Sequence, residues 1–169
     1  MPPTILQSFD YLCRVMKIFN AAQIHELDKY TIEHEPIKSI DLMERAAKAI
    51  TRAIMEEWIE HTPIVVFAGP GNNGGDGLAV ARMLAEANYQ VSVYLFNIHN
   101  KLSEECATNR QRIIDCKKVN KFTEVTLNFD PPELTADMLV IDSLFGSGIN
   151  KPLMGGFAAL VKYINQSAA

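Results

Sequence analysis

The stretch PIVVFAGPGNNGGDGLAVARMLAEANYQVSVYLF, residues 63–96, decides the fold. Its apolar, β-branched start predicts a strand that is buried on both faces, and VSVYLF at its end predicts a second strand. Between them lie a glycine-rich segment, Gly69 to Gly77, and the apolar stretch LAVARMLAEAN, which predicts a helix packed closely on a sheet. This order of strand, glycine segment, helix and strand predicts a parallel βαβ unit.

Elsewhere the chain keeps alternating between helical and strand patterns. Asn20 followed three residues later by Gln23 predicts a capped helix over AAQIHELDKYTIEHE, and Ser103 is expected to cap a helix over EECATNRQRIIDC. KFTEVTL and MLVID predict two further strands, the second ending at Asp142, and GFAALVKYIN predicts a last helix. We therefore expect a Rossmann-like, doubly wound α/β fold with three α/β/α layers and a mostly parallel sheet.

A helix from Ile40 to Glu60 is predicted by the spacing of its apolar residues. They recur three and four positions apart, so they would form one apolar face for packing. The residues of this predicted face are Met43, Ala46, Ala47, Ile50, Ala53, Ile54, Trp58 and Ile59.

Composition excludes several classes of protein. The 169 residues are 48% hydrophobic with a formal net charge of −4, and no basic run suggests nucleic acid as a partner. No apolar run approaches the roughly 20 residues of a membrane span, and residues 1–15, MPPTILQSFDYLCRV, lack the pattern of a signal peptide. Cys13, Cys106 and Cys116 are too scattered for a disulfide framework or a zinc motif. We therefore expect a cytoplasmic protein that binds neither nucleic acid nor membrane.

The glycine segment satisfies G-x-G-x-x-G from Gly69, the fingerprint of dinucleotide-binding loops. Such loops are followed, about 20 positions on, by an acidic residue at the end of the second strand, but Tyr94 to Asn97 contain none. A phosphate-binding P-loop would carry Lys and Ser or Thr where this chain has Gly75 and Asp76, which disfavours phosphoryl transfer. The glycines can still turn backbone N–H groups toward an anion at the start of the next helix.

Two aspartates beside the expected binding crevice each allow two interpretations. Asp76 could cap the following helix or contact a ligand directly. Asp142 ends a predicted buried strand before a second glycine turn at 146–148, and it could cap that turn or act as an acid or base in a low-dielectric cleft. Because both loops leave the carboxyl ends of parallel strands, a carboxylate from Asp142 and an amide oxygen from Asn72 or Asn73 could also converge on a cation.

Four segments together resemble a known family: NAAQIHELD, LMERAA, VVFAGPGNNGGDGLAVARML and DMLVIDSLFGSGINKPL. In this order and spacing they are similar to the NAD(P)H-hydrate epimerases, the YjeF N-terminal domain that also forms the N-terminal module of the bacterial bifunctional NAD(P)H-hydrate repair enzyme. The resemblance runs from Met16 to the end of the chain, with Ala47 where the family usually has glycine. It implies an isomerase that interconverts the R and S forms of NADHX and NADPHX, which carry a hydroxyl at nicotinamide C6, for repair of the cofactor.

The same resemblance implies roles for individual residues. Asn73 and Asp142 would bind a potassium ion, and Asp142 is also the candidate catalytic residue. The residues expected to bind the hydrated cofactor are Asn72, Asn73, Gly74, Gly75, Asp76, Gly146, Ser147, Gly148, Ile149, Asn150, Lys151 and Pro152.

The resemblance also implies partners and an extent for the domain. The pathway partner would be an ADP- or ATP-dependent NAD(P)H-hydrate dehydratase domain, separate or fused, and we expect a homodimer. Residues 1–15 would be an extension outside the family pattern, and 16–169 the domain itself. The family continues with a strand carrying Asp-x-Pro-Ser-Gly, so we expect an incomplete C-terminus, an unpaired edge on the strand that ends at Asp142, a weakened site, and either dimerisation or low stability.

An alternative function stays open at this point. The same fold occurs in non-catalytic nucleotide-binding or scaffold modules, such as decapping-enhancer scaffolds and an apolipoprotein-binding relative, so fold alone does not establish catalysis. Retention of the whole segment from Asn72 to Asp76 favours the enzyme.

Overall fold

Helices and strands alternate along the chain in the computed structural model, which describes residues 19–149 and 151–169. The chain divides after Lys38 into two units; α1 belongs to the first, and all other elements belong to the second. The elements are α1 (Ala21–His34), α2 (Ser39–Glu57), β1 (Ile64–Ala68), α3 (Asn72–Glu86), β2 (Val91–Phe96), α4 (Glu104–Cys116), β3 (Lys121–Val125), β4 (Leu139–Ser143) and α5 (Gly155–Gln166).

The four strands form one sheet in the order β3-β2-β1-β4, and every neighbouring pair is parallel. Val66 of β1 is in register with Val93 of β2 on one side and with Ile141 of β4 on the other. The chain moves outward from β1 to β3 and then returns to the opposite side of β1. This reversal confirms the predicted doubly wound parallel fold and creates a switch point between β1 and β4.

The core lies on both faces of the sheet, and β1 is therefore buried along its whole length. Alternate residues of β1 point to opposite faces. Val66 packs in the cluster formed with α2, α3 and α4, whereas Phe67 packs in the aromatic cluster beneath α5. Burial of each such side chain contributes about 1.5–3 kcal/mol, so β1 anchors both layers.

Local capping signals in the sequence are confirmed. Asn20 and Gln23 form a reciprocal capping box at the start of α1, with both hydrogen bonds at 3.0 Å. The hydroxyl of Ser103 accepts from the backbone N–H of Cys106 at the start of α4. Such caps satisfy backbone donors that the first turn of a helix leaves unpaired.

The predicted apolar face of α2 is wrong, because it is wider than the face that the helix buries. The residues that this helix buries are Met43, Ala47, Thr51 and Ile54, a narrow stripe that faces the core. Ile50 is exposed, and Trp58 and Ile59 are exposed beyond the end of the helix at Glu57. A single row of contacts is enough where one helix packs on another, so the flanking apolar positions of the pattern remain in solvent.

β4 is also less buried than its sequence suggested. It runs to Ser143 rather than ending at Asp142, and its first three residues are only half-buried. The reason is its place at the edge of the sheet in the described part of the chain, where it pairs with β1 alone.

Within the same described residues, no helix is long and apolar enough to cross a membrane. The predicted extension, residues 1–15, lies outside them.

Candidate functional site

The candidate site lies at the switch point, where the loops after β1 and β4 meet. The backbone N–H of Gly69 donates to the carbonyl of Ser143 at 3.0 Å. One step further along, the side-chain amide of Asn73 donates to the carbonyl of Phe145 at 2.9 Å. The two loops therefore lie together, as expected, and the side chain of Asn73 connects them.

Much of the glycine segment is helical rather than an extended loop. α3 begins at Asn72, and its N-cap, Gly71, offers no side chain to hydrogen-bond the first turn. The interpretation of Asp76 as the helix cap is wrong, because Asp76 lies inside the helix and is half-buried. A first turn without a side-chain cap presents backbone N–H groups and partial positive charge to an anion.

Steric contact explains why glycine recurs in this helix. A Cβ on Gly74 would lie 1.8 Å from the carbonyl oxygen of Gly69. A Cβ on Gly77 would lie 2.0 Å from the hydroxyl of Ser143. The absence of side chains lets α3 approach both its own loop and the end of β4, which brings its N-terminus to the switch point.

α4 supports the glycine segment from the side. Asn109 is 1% exposed, and its amide donates to the carbonyl of Gly75 at 3.2 Å. The thiol of Cys106 contacts the carbonyl of Gly69, and the N–H of Ser103 donates to the carbonyl of Pro70. Burial raises the pKa of Cys106 to about 11, so at neutral pH this thiol is a packing group and not a nucleophile.

Of the interpretations of Asp142, the structure shows the turn cap. One of its carboxylate oxygens accepts from the backbone N–H of Leu144 at 3.0 Å. The side chain is exposed, so the expectation of a low-dielectric cleft around it is wrong for the described residues. The exposure follows from the edge position of β4 and leaves the carboxylate accessible to a ligand.

The second loop contributes one close contact and several open positions. A Cβ on Gly146 would lie 3.4 Å from the Cβ of Asn73, so this residue lies directly against the glycine segment. Asn72 is exposed, as are the described residues that follow Gly146 through the loop. These following residues are Ser147, Gly148, Ile149, Lys151 and Pro152. The predicted site residue Asn150 lies outside the described residues.

Comparison with known proteins identifies the family. Residues 39–169 match the family described as YjeF-related protein N-terminus. The chain belongs to this family.

Relatives of this YjeF-related chain include named enzymes. The NAD(P)H-hydrate epimerase of Limosilactobacillus fermentum is 38% identical over 149 residues, which are 88% of this chain and 68% of the relative. The bifunctional NAD(P)H-hydrate repair enzyme Nnr of Coxiella burnetii is 33% identical over 150 residues, 89% of this chain and 29% of that enzyme. The crystal structure of yeast YNL200c matches with a TM-score of 0.68 at 22% identity, covering 88% of this chain and 65% of that one, and shows a shared fold.

The YjeF-related site offers oxygen ligands for a cation. Within residues 19–149 and 151–169, no group of three or more His, Cys, Asp or Glu side chains is placed to hold a metal ion. Because the amide nitrogen of Asn73 is turned toward Phe145, its oxygen is the atom left to act as an acceptor. Together with the exposed carboxylate of Asp142, this amide oxygen belongs to the hard donors that cations such as potassium favour, so the residues present fit such an ion.

Sequence analysis missed the carboxylate near the end of β2 in this YjeF-related fold. Glu124 of β3 accepts from the amide of Asn97 at 2.7 Å and from Nε of Arg110 at 2.8 Å. Burial alone raises the pKa of Glu124, but the hydrogen bonds from Arg110 and Asn97 outweigh it and hold the pKa below its ordinary value. The acid comes from the neighbouring strand, so a search along the sequence after β2 could not find it.

Proposed function

We propose that this chain is an NAD(P)H-hydrate epimerase, an isomerase that interconverts the R and S forms of NADHX and NADPHX. Family membership and the names of the relatives support this activity. The observation that carries the proposal to this chain is the contact between Asn73 and the loop after β4, because it joins the two predicted substrate-binding segments at one switch point.

The chemistry follows from the substrate. C6 of the hydrated ring bears both the hydroxyl and the ring nitrogen, so it is a carbinolamine carbon. Epimerisation can proceed by ring opening: the hydroxyl loses its proton, the C6–N1 bond breaks, an aldehyde forms at C6, and N1 takes up a proton. N1 then adds to the other face of the aldehyde and releases its proton, while the C6 oxygen takes one up. It can also proceed by protonation and loss of the hydroxyl as water, followed by return of water to the other face. Either route needs proton transfer at that oxygen.

The proposed roles of the residues follow from their positions. Asp142, exposed beside the switch point, would exchange the proton with the C6 hydroxyl directly or through a water molecule. The first turn of α3, from Asn72 to Asp76, would bind the cofactor's phosphates with backbone N–H groups. The second loop, from Gly146 to Pro152, would form the opposite wall of the pocket.

Potassium is the cofactor we propose, held by the amide oxygen of Asn73 and the carboxylate of Asp142. When bound, it would supply positive charge that stabilises the cofactor's phosphates and any oxyanion at C6. The donors are all oxygens, which suits this ion better than a transition metal.

We further propose the surroundings of the reaction. A stereospecific NAD(P)H-hydrate dehydratase would consume the S epimer, and the bifunctional Nnr enzyme combines repair activities in one chain. The cytoplasm is the proposed compartment, since Cys106 and Cys116 are free thiols in the described structure. A homodimer is the proposed assembly, and it is supported by the edge of β4 that has no partner strand among the described residues.

The activity is tested with the R epimer of NADHX in the presence of excess S-specific dehydratase. Recovery of NADH absorbance should be faster with this chain than the spontaneous rate, and faster again with potassium than with sodium. An unchanged rate at every enzyme concentration, with the Limosilactobacillus fermentum epimerase active in parallel, would contradict the proposal and favour a non-catalytic binding module.

The role of Asp142 is tested by Asp142→Asn. Loss of the acid–base group should reduce kcat by about 100-fold or more, the usual size of such a contribution. Asp115→Asn is the matched control. Asp115 is exposed at the C-terminal end of α4, and its carboxylate accepts a hydrogen bond from Gln111 of the same helix. Activity of Asp142→Asn near that of wild type at saturating potassium would remove the proton-transfer role.

A further inference from the structure

A cavity lies near the candidate site, at the same edge of the sheet. It is a cleft of about 860 Å³ on the face covered by α5. Its walls come from Phe96 at the end of β2, from the loops that follow β2 and β3, and from α5. These segments follow carboxyl ends of parallel strands, the edge where doubly wound sheets bind their ligands. The volume is in the range of small-molecule sites, about 300–1,000 Å³.

The cleft is lined largely by aromatic rings. The rings of Phe96 and Phe129 meet edge to face with centroids 5.0 Å apart, and Phe96 and Phe157 are 5.7 Å apart. Rings in such arrangements present both faces and edges, and a further planar aromatic ring packs favourably among them. His99 and Asn128 add polar side chains to the lining, which can hydrogen-bond the edge of a heterocyclic base.

A chain of contacts connects this cleft to the candidate site. Phe157 also packs against Phe145, with centroids 5.1 Å apart. The carbonyl of Phe145 is the group that accepts the hydrogen bond from Asn73. The switch point and the cleft are separated by about two strand spacings, roughly 10 Å. An extended dinucleotide is longer than this distance, so one molecule can occupy both places.

We propose that the cleft binds the adenine base of the hydrated cofactor. This proposal rests on the proposed function for the identity of the whole ligand, but its recognition chemistry is that of any adenine nucleotide. The hydrated ring of NADHX is not aromatic, because its C4, C5 and C6 are all tetrahedral. Adenine is therefore the planar aromatic base of NADHX, and it matches an aromatic cleft, while the hydrated ring lies beside Asp142.

The decisive variant fills the cleft without disturbing the fold. Gly156 lines the cleft near the start of α5 and is exposed, and a Cβ added to it would meet no atom within 4 Å. Gly156→Phe should obstruct the cleft, whereas Gly156→Ala leaves it open. Leu127→Ser removes an apolar side chain that is 83% exposed in the lining. Ile59→Ser, at a residue 72% exposed and not in the lining, is its matched control.

The experiment titrates the full chain with ADP-ribose, which contains adenine and the diphosphate but no nicotinamide, by calorimetry. We expect Gly156→Phe to raise Kd at least tenfold relative to Gly156→Ala and Leu127→Ser to raise it about threefold relative to wild type, with Ile59→Ser within twofold of wild type. Thermal unfolding of each variant checks that it is folded.

The outcomes separate this inference from the proposed function. Absence of ADP-ribose binding by wild type, or equal binding by the folded Gly156→Phe variant, would overturn the adenine site even if R-NADHX is epimerised. The expected pattern of Kd values without epimerisation would support the adenine site and remove the proposed function.

Discussion

Gly74 illustrates how one residue controls the position of the site. The backbone of Gly69 leaves no room for a side chain at this position, whereas the backbone conformation of Gly74 itself does not require glycine. Gly74→Ala would gain about 1 kcal/mol of helix propensity, but the overlap with a carbonyl should reverse this gain. We expect a net loss of about 1–3 kcal/mol in the free energy of unfolding, the usual cost of overpacking, measured by urea denaturation.

Gly156→Ala provides the control for that prediction, because its added methyl group meets open space in another helix. It should leave the free energy of unfolding unchanged or raise it by up to about 1 kcal/mol. Equal stability of the Gly74→Ala and Gly156→Ala proteins would show that the loop of Gly69 relaxes easily, which would contradict a rigid approach of α3 to the switch point.

At the scale of elements, the tie between α4 and β3 should depend on pH. Burial raises the pKa of Glu124, but the hydrogen bonds from Arg110 and Asn97 outweigh it and lower the pKa from its ordinary 4.5. A depressed carboxyl pKa stabilises the folded state fully above the unfolded value, and this contribution is lost as pH falls through the folded pKa. Glu124→Gln should therefore cost about 1 kcal/mol at pH 7.

The difference between wild type and Glu124→Gln should stay constant down to about pH 5.5 and shrink below pH 4.5. Chemical denaturation at a series of pH values measures it. Glu56→Gln, at an exposed residue of α2, should show no such trend. A difference that stays the same down to pH 3 would mean that the charge of Glu124 does not hold α4 to β3.

The elements themselves were largely predictable from local patterns. The capping box at Asn20, the cap at Ser103 and the strand runs depend on residues within a few positions of each other, and all are confirmed. The buried width of α2 was not predictable, because it depends on how much of α2 is covered by α3 and by the rest of the core. The prediction that β4 is buried was wrong for the same reason, since the burial of a strand depends on neighbours on both sides.

At the scale of the whole molecule, the edge of β4 predicts self-association. Leu139 N–H and the carbonyl of Ser143 bond toward the β1 side. Backbone groups alternate in direction along a strand, so those of Val140 point toward the open edge. We expect light scattering to report a dimer as the concentration rises, because the edge of β4 is unpaired among the described residues and such an edge is a template for another strand.

Val140→Pro sharpens that test. Proline removes the N–H that faces the open edge while keeping the hydrogen bonds to β1, a position where edge strands tolerate it. The variant should remain folded by circular dichroism and become monomeric. A wild-type protein that stays monomeric with a high melting temperature would contradict both the proposed dimer and the expected low stability.

The sequence by itself determined the strands, the helix caps, the βαβ unit around the glycine segment and the family, because these depend on local spacing and motif. Only the tertiary structure decided the sheet order and the residues that meet at the switch point. Asn73 and Phe145 are 72 residues apart in the chain, and no local pattern links them. The support from Asn109 and the aromatic cleft are likewise products of packing, because each depends on side chains that the fold brings together from separate elements.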